Sequence, residues 1–523
     1  MNETHFAIEI FIVLLLVASG VAMAAKWVRV PYTLMLVIVG LMISPMHFLP
    51  PVHISPELIL LIFLPALLFE ASWNLKLQHL RENLGPILLL ATLGVGLSVG
   101  VIGLILHYGI HLPWSSALLF GAIISATDPV SVLALFRKLN LPSRLTTIVE
   151  GESLFNDGTA VVLFRIILGV ALGSTVNSTG SLVLGSLREF GLVVFGGIAV
   201  GAVVGLIAST LTAYFDDHLL EITLTTIAAY GSFLIGEGLN VSPVIGVLVT
   251  GLVIGNIGRQ KGMSPTTQVA VNSFWEYAAF VVNSLVFLLI GLEIDLFVLA
   301  ENLGSIGWAV GTMLVARMVV VYGLSPLTNR RGQAFPRAWQ HVLFWGGLRG
   351  SLSIALALSL PASMQGRSLL VMMTFGAVMF SLLAQGLTVS PLLKRLGLGQ
   401  RDPRLREYES IQSRLLAEAT ALAEIEALRS QGRVAERVYQ QLKNEIVQAH
   451  DDLKTQLTRL EPSDLALEQQ LVDRLHRRLV DVKKARLSEL LQEGLLSEST
   501  YNDLTKRLNE ELATTHSSVA SHG

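Results

Sequence analysis

The sequence predicts an all-α membrane protein with thirteen transmembrane helices and a helical tail. The first observation is composition: the 523 residues are 52% hydrophobic and only 15% charged, which is typical of a chain that lies in a bilayer. The second is the distribution of charge. Residues 1–400 hold 19 Lys and Arg with 18 Asp and Glu, whereas residues 401–523 hold 18 and 21. We therefore expect a transmembrane domain over residues 1–396 and a polar tail over residues 397–523.

Apolar runs of about 20 residues mark the helices that can cross a bilayer. Some of the runs are short or rich in glycine, so their ends are defined less sharply than those of the others. The thirteen runs are residues 7–25, 31–45, 57–72, 85–107, 114–136, 146–171, 189–212, 218–237, 240–258, 274–296, 303–326, 340–361 and 368–391.

The loops between these runs alternate in charge. The loop after the first run and every second loop from there carry the basic residues Lys26, Arg29, Lys76, Arg81, Arg137, Lys138, Arg144, Arg259, Lys261, Arg330, Arg331 and Arg337. The other loops carry only Arg188 and Arg367. Since basic loops stay in the cytoplasm, the N-terminus is expected outside and the tail inside. We expect an integral protein of the plasma (inner) membrane.

Two of the runs are interrupted. In the fifth, Pro129 lacks an N–H and disfavours helical geometry at Asp128. In the twelfth, three glycines surround Arg349, which needs a counter-ion inside a membrane, and Glu152 or Asp128 can supply it. Interrupted helices in matching positions of two halves indicate an inverted-repeat transporter with its site between the breaks. A simple proline kink and a glycine-rich packing face remain the alternative here.

The sixth run contains a polar segment. It reads Gly151-Glu152-Ser153-Leu154-Phe155-Asn156-Asp157-Gly158. On a helix, Ser153 and Asp157 share one face, as do Glu152 and Asn156, because they stand four positions apart. Carboxylates are costly inside a membrane, so these side chains are expected to face a partner or a water-filled cavity.

Together, Thr127-Asp128-Pro129, the polar segment and Gly347-Leu348-Arg349-Gly350 resemble the cation–proton antiporters of the NhaP/NHE branch. The stretch Phe63-Leu64-Pro65-Ala66-Leu67-Leu68-Phe69-Glu70 is similar to that family's third helix, and the resemblance covers about residues 10–395. It implies thirteen helices in inverted repeats with two discontinuous crossing helices, a homodimer in the lipid bilayer, and a mobile core of the fourth to sixth and eleventh to thirteenth helices. It also implies exchange of Na⁺ or Li⁺ for H⁺, with K⁺/H⁺ exchange as the alternative.

The resemblance further implies roles for the polar residues of the breaks. Asp157 is the carrier of both cation and proton, and Asn156 takes the place where the electrogenic branch has a second aspartate. Asp128 lies at the crossing, while Thr127 and Ser153 offer oxygens to Na⁺, a hard cation that favours such ligands. Because cation and proton compete for one charge, the two fluxes are coupled and electroneutral exchange is expected. No cofactor is implied.

Three further residues complete the expected site. Glu152 is expected to pair with Arg349, and Arg317 is left as a structural partner or a snorkelling side chain. Glu70 is left open between a structural or funnel residue and a direct participant in ion binding. The chain has no cysteine and no His-Glu-x-x-His motif, so an intramembrane enzyme is disfavoured. An ion channel or a membrane sensor remains an alternative, although a channel would not need Asp157 to be protonated.

The tail is predicted to be helical and regulatory. A weak repeat relates residues 428–442 to residues 490–504, each with a central glycine, Gly432 and Gly494, that indicates a helix–turn–helix hairpin. Residues 513–523 are expected to be disordered. A cytoplasmic regulator can bind such a tail, whereas the net charge of −2 gives no indication of nucleic-acid binding.

Overall fold

A computed structural model describes most of the chain, and its described parts are helical. These parts are residues 3–25, 31–44, 56–139, 141–172, 182–212, 217–259, 262–294, 296–328, 335–398, 403–431 and 433–459, with isolated residues elsewhere. The chain forms two compact units, Met1–Gly399 and Gln400–Gly523.

The first unit is a bundle of helices around one apolar core. Its helices are α1 Glu3–Ala25, α2 Tyr32–Ile43, α3 Leu64–Asn74, α4 Leu77–Leu88, α5 Val95–Ile110, α6 Trp114–Ser125, α7 Val130–Leu139, α8 Ser143–Ala171, α9 Leu182–Thr212, α10 His218–Gly238, α11 Pro243–Val253, α12 Pro265–Glu293, α13 Leu296–Glu301, α14 Leu303–Thr328, α15 Arg337–Trp345, α16 Ser351–Leu358, α17 Arg367–Phe380 and α18 Gly386–Arg395. Short π-helical stretches precede α3, link α4 to α5, extend α11 and link α17 to α18, at Leu58–Phe63, Leu89–Gly94, Ile254–Gly258 and Ser381–Gln385.

Many of these helices have the length and composition of membrane spans. Among the described residues, 8 helices are long and apolar enough to cross a bilayer, and shorter apolar helices occupy 9–25, 32–43, 58–74 and 243–258. The prediction of an all-helical membrane protein is therefore confirmed. Two helices begin well before the predicted residue: α12 begins at Pro265 and not at residue 274, and the predicted fourth run is part of a longer helix, Leu77–Ile110. That helix starts early because the Asn256 side chain accepts the Leu77 N–H at 2.9 Å and satisfies a free end.

Both predicted interruptions are present. Helix α6 ends at Ser125 and α7 begins at Val130, so the intervening residues, Pro129 among them, are not helical. Helix α15 ends at Trp345 and α16 begins at Ser351 after the glycine-rich segment. Irregular backbone at membrane depth persists only where protein covers it or where it lines a cavity. We therefore expect the functional site at these two segments.

Close helix contacts hold other parts of the bundle together. Helices α2 and α12 touch at Gly40 and Gly291, where an added Cβ would lie 2.5 Å from the Leu288 carbonyl and 2.4 Å from the Val37 carbonyl, respectively. Only glycine allows backbones to approach so closely, as is common between membrane helices.

The second unit contains a helical hairpin, formed by α19 (Pro403–Ser430) and α20 (Glu436–Arg459). Tyr439 is buried between them, with the Arg429 guanidinium 4.4 Å from its ring centre and Lys443 Nζ 5.4 Å away. The hairpin spans the first predicted repeat, whose Gly432 is outside the described residues. Most of the second repeat, including Gly494, and residues 513–523 are outside them as well.

Candidate functional site

The two interruptions touch through their main chains. The backbone N–H of Asp128 in the first break donates to the carbonyl of Leu348 in the second, at 2.8 Å. A Cβ added to Gly350 would lie 2.5 Å from the Asp128 Cβ, so glycine is required for this approach. The Asp128 carboxylate accepts the Val130 N–H at 3.0 Å and thereby caps the start of α7. The breaks thus form one joint rather than two separate kinks.

Helix α8 presents a polar face that holds the first break in place. Asn156 Nδ2 donates to Thr127 Oγ1 at 2.7 Å, and Asn156 Oδ1 accepts the Thr127 N–H at 3.3 Å. Ser153 Oγ donates to the Thr127 carbonyl. The peptide groups of Thr127 are therefore satisfied by side chains instead of by helix bonds, which is what an interrupted helix needs.

Glu152 is paired with Arg317 and not with Arg349. Arg317 on α14 donates from Nη1 to Glu152 Oε1 at 2.7 Å and from Nη2 to Oε2 at 2.9 Å. The Leu343 carbonyl accepts from Arg317 Nε at 3.1 Å. The prediction that Glu152 pairs with Arg349 is therefore wrong. Of the two alternatives left open for Arg317, the structural partner is the one observed.

Arg349 instead caps the end of α6. Its Nη1 donates to the carbonyls of Ser125 and Ala126, at 2.8 and 3.1 Å. The last carbonyls of a helix have no intrahelical donor and carry a partial negative charge, so a cation is stabilised there. The Arg349 N–H also donates to Ser381 Oγ at 3.0 Å. The charge of Arg349 is therefore stabilised by backbone carbonyls at the end of α6, and no carboxylate partner is needed.

A cavity of about 330 Å³ lies against the joint of the two breaks. Thr127, Asp128, Ser153 and Asp157 line it, together with Gly350 of the second break and the first residues of α16, Ser351, Leu352 and Ser353. Asp157 is only partly buried, and its Oδ1 has no hydrogen-bond partner among the described residues. These side chains supply the hard oxygen atoms that a sodium ion takes as ligands.

Acidic residues and one arginine also line this cavity away from the breaks: Glu70, Glu150, Glu276 and Arg137. Glu70 accepts a hydrogen bond from Asn74 at 2.9 Å. A second cavity of about 410 Å³ shares Arg137 and Glu150 with the first and continues to Lys76 and His79. The basic residues Lys76 and Arg137 of this second cavity belong to loops that the charge pattern places on the cytoplasmic side. The predicted site residues therefore divide: Thr127, Asp128, Ser153, Asp157 and Glu70 line the cavity, whereas Asn156, Glu152 and Arg349 are absent from its lining.

The interrupted helices, the carboxylate at their joint and the polar face of α8 agree with one family of transporters. The family described as "Sodium/hydrogen exchanger, transmembrane" matches residues 11–395. This chain belongs to the sodium/hydrogen exchanger family. The predicted resemblance is confirmed, and the exchanger is an antiporter, not an enzyme. The ions that pass through it are substrates and not cofactors.

Relatives of the exchanger extend over most of the chain. The Na⁺/H⁺ antiporter ApNhaP of Aphanothece halophytica is 45% identical over 428 residues, which cover 80% of this chain and 81% of the relative. The low-affinity Na⁺/H⁺ antiporter NhaS1 of Synechocystis sp. is 40% identical over 98% of this chain and 99% of the relative. The Na⁺/H⁺ antiporter NhaG of Bacillus atrophaeus is 39% identical over 95% and 98%. The last two matches therefore include the tail.

A solved structure shares the exchanger's fold. The sodium proton antiporter MjNhaP1 from Methanocaldococcus jannaschii, determined at pH 8, superposes with a TM-score of 0.65 and 22% identity. The match covers 75% of this chain and 99% of that chain.

Proposed function

We propose that this exchanger moves Na⁺ or Li⁺ in one direction and H⁺ in the other by alternating access. The observation that carries the proposal is the Asp157 carboxylate, which borders the cavity at the joint of the two breaks with an oxygen that has no partner in the described structure. The relatives described above are named Na⁺/H⁺ antiporters, and none of these names supports the potassium alternative.

The ion site is formed on this proposal by oxygens from two helices. Asp157 and Ser153 come from α8, while Asp128 and Thr127 come from the first break. Asn156 and Glu152 hold the break and α14 in place around them, because their polar atoms are occupied by Thr127 and Arg317. Glu70 acts in the funnel that leads to the site.

Coupling follows from competition for a single carboxylate. When Asp157 holds a proton it has no charge with which to hold a cation, and when it holds a cation it cannot hold the proton. Only the two occupied forms change the side of the membrane to which the site opens, so each turnover exchanges one cation for one proton. Asn156 contributes no charge, and the charge of Glu152 is balanced by its ion pair with Arg317.

The wider architecture follows the same family pattern. We count thirteen spans by joining α4 to α5, α6 to α7, α15 to α16 and α17 to α18, and by leaving out the six-residue helix α13. We place the N-terminus outside and the tail in the cytoplasm of the plasma membrane, and we assign transport to residues 1–396 and regulation to residues 397–523. Two copies form a homodimer.

Proton flux in everted membrane vesicles tests this proposal. A respiration-driven pH gradient quenches an accumulated dye, and Na⁺, Li⁺, K⁺ or choline chloride is then added. We expect Na⁺ and Li⁺ to restore the fluorescence and K⁺ and choline to leave it unchanged. Asp157→Asn abolishes the response because the amide cannot exchange a proton for a cation.

Asp217→Asn is a matched control for that substitution. Asp217 is exposed and caps α10 by accepting the N–H groups of Leu219 and Leu220, at 2.8 and 3.2 Å. Asparagine caps a helix as well as aspartate does, so this variant should behave like the parent. Sodium-driven fluorescence recovery by folded Asp157→Asn protein would overturn the carrier assignment, and recovery with K⁺ equal to that with Na⁺ would overturn the substrate assignment.

A further inference from the structure

A serine on the second interrupted helix lines the ion cavity and has a hydroxyl group without a described partner. Ser353 is the third residue of α16, and it is completely buried, at 0% exposure, yet it lines the cavity. Its Oγ has no hydrogen-bond partner among the described residues. A buried hydroxyl without a hydrogen-bond partner is energetically unfavourable. We therefore expect a hydroxyl of this kind at a cavity wall to bind a ligand.

The break in the helix explains why this hydroxyl is free. Serine and threonine inside a helix usually donate to the carbonyl three or four positions earlier. Ser125 does so to Gly121 at 2.6 Å, and Thr374 to Leu370 at 2.8 Å. For Ser353 the corresponding positions are 349 and 350, which lie in the non-helical break. No helical carbonyl is therefore placed to accept the proton of its hydroxyl, and its oxygen remains available.

We propose that Ser353 Oγ is a ligand of the transported cation, supplied by the second half of the molecule. Asp157, which lines the same cavity, carries the other fully buried oxygen without a hydrogen-bond partner among the described residues of the lining. A neutral hydroxyl beside a carboxylate is suited to Na⁺ or Li⁺, which take hard oxygen ligands. The ion then contacts both interrupted helices at once. This inference rests on the proposed function and adds one residue to its site.

Ser284 provides a matched control on a neighbouring helix. It lies on α12, is also 0% exposed, and its Oγ also has no partner among the described residues. Its neighbour Asn283 lines the cavity, whereas Ser284 does not. Any effect of deleting a buried, unpartnered hydroxyl in general should therefore appear equally at both serines, while an effect on the ion should appear only at Ser353.

The first experiment measures cation affinity in purified full-length protein. Ser353→Ala should raise the Na⁺ concentration for half-maximal exchange by about three- to tenfold, the value of one lost ligand of hydrogen-bond strength. The Na⁺ concentration that gives half of the thermal stabilisation should rise equally. Ser353→Thr, which keeps the hydroxyl, and Ser284→Ala should both stay within about twofold of the parent.

Two outcomes of this experiment contradict the inference in different ways. If the parent responds to Na⁺ in both assays and Ser353→Ala matches it, Ser353 is not a ligand, and the proposed function stands. If the parent itself responds to Na⁺ in neither assay, the proposed function is wrong and the ligand assignment falls with it.

A second experiment does not depend on the alanine variant. Because the chain contains no cysteine, Ser353→Cys introduces a single thiol that a small positively charged methanethiosulfonate reagent can modify. We expect modification to be slower in NaCl than in choline chloride of equal ionic strength, because the cation covers the thiol. Ser284→Cys should react slowly and without this difference. Equal rates in both salts at position 353, or a rate no faster than at position 284, would overturn the proposal.

Discussion

Arg317 on α14 and Glu152 on α8, which are 165 positions apart in the chain, form an ion pair with two contacts of 2.7 and 2.9 Å. Both residues are buried, at 7% and 3% exposure. The remaining contacts of the guanidinium go to the Leu343 carbonyl. The pair thus fastens α14 to the face of α8 that lies behind the ion cavity.

Removing one partner should destabilise the membrane unit strongly. Arg317→Ala leaves the Glu152 carboxylate buried and uncompensated, so we expect the free energy of unfolding to fall by about 3–5 kcal/mol. Chemical unfolding in detergent measures this loss, and Arg165→Ala, at an exposed position of the same helix α8, should have little effect. If Glu152→Gln and Arg317→Ala are additive in the double variant, the two residues are not coupled.

A methyl group at Gly350 should disrupt the joint between the breaks. In Gly350→Ala the new Cβ would lie 2.6 Å from Asp128 Oδ2, so the carboxylate or the backbone has to move. We expect exchange to fall at least about tenfold, since a small misplacement of reacting groups is costly. Gly323→Ala has no heavy atom within 4 Å of the new Cβ and serves as the control. Normal exchange by Gly350→Ala in the vesicle assay would show that the contact is dispensable.

The exchange should be electroneutral. One titrating carboxylate, Asp157, with the uncharged Asn156 beside it, provides one negative charge per cycle. In proteoliposomes with fixed pH and sodium gradients, a membrane potential set with potassium and valinomycin should leave the rate unchanged. A rate that scales with the potential would mean that a second group, such as Asp128, takes part in the titration.

Removal of the tail should change regulation and preserve transport. Residues 1–401 contain every cavity-lining residue, so the truncated protein should exchange ions with a shifted activation pH or apparent Na⁺ affinity. Such a shift requires that the tail stabilise one conformational state more than another. Complete loss of exchange in folded, truncated protein would contradict this assignment, and an unchanged pH profile would remove the regulatory role.

A point substitution in the tail offers an independent check. Tyr439→Ala removes a ring that is only 1% exposed between α19 and α20, and it should unfold the hairpin because such truncations cost about 3–5 kcal/mol. The regulatory change should match that of the truncation. Tyr439→Phe keeps the ring and loses the 3.1 Å bond from Lys443 to the hydroxyl, so it should resemble the parent.

The helices and their interruptions could be predicted from the sequence because their causes are local. A bilayer imposes a minimum apolar length, and Pro129 breaks a helix through its own missing N–H. Glycines around Arg349 act in the same local way. The start of the fourth span at Leu77 could not be predicted, because the cap comes from Asn256, far along the chain.

The partner of Glu152 could not be predicted for a related reason. Two arginines, Arg317 and Arg349, lie within apolar runs of the sequence, and each needs a compensating partner. Only the three-dimensional arrangement of α8, α14 and the second break decides which of them reaches the carboxylate. Sequence patterns also do not show that the end of α6 offers Arg349 two free carbonyls. The unused hydroxyl of Ser353 likewise becomes visible only when the missing acceptor is known.

The hydrogen bond from Asp128 to Leu348 is made by peptide groups and not by side chains. This hydrogen bond between the two breaks therefore does not depend on the side chains at positions 128 and 348. Cavity-lining side chains that make no hydrogen bond to the first break, such as Ser353, can be exchanged for other oxygen donors while the joint keeps its geometry. Cation preference should accordingly be open to redesign in this scaffold while the joint between the two breaks is kept, provided that Gly350 is retained.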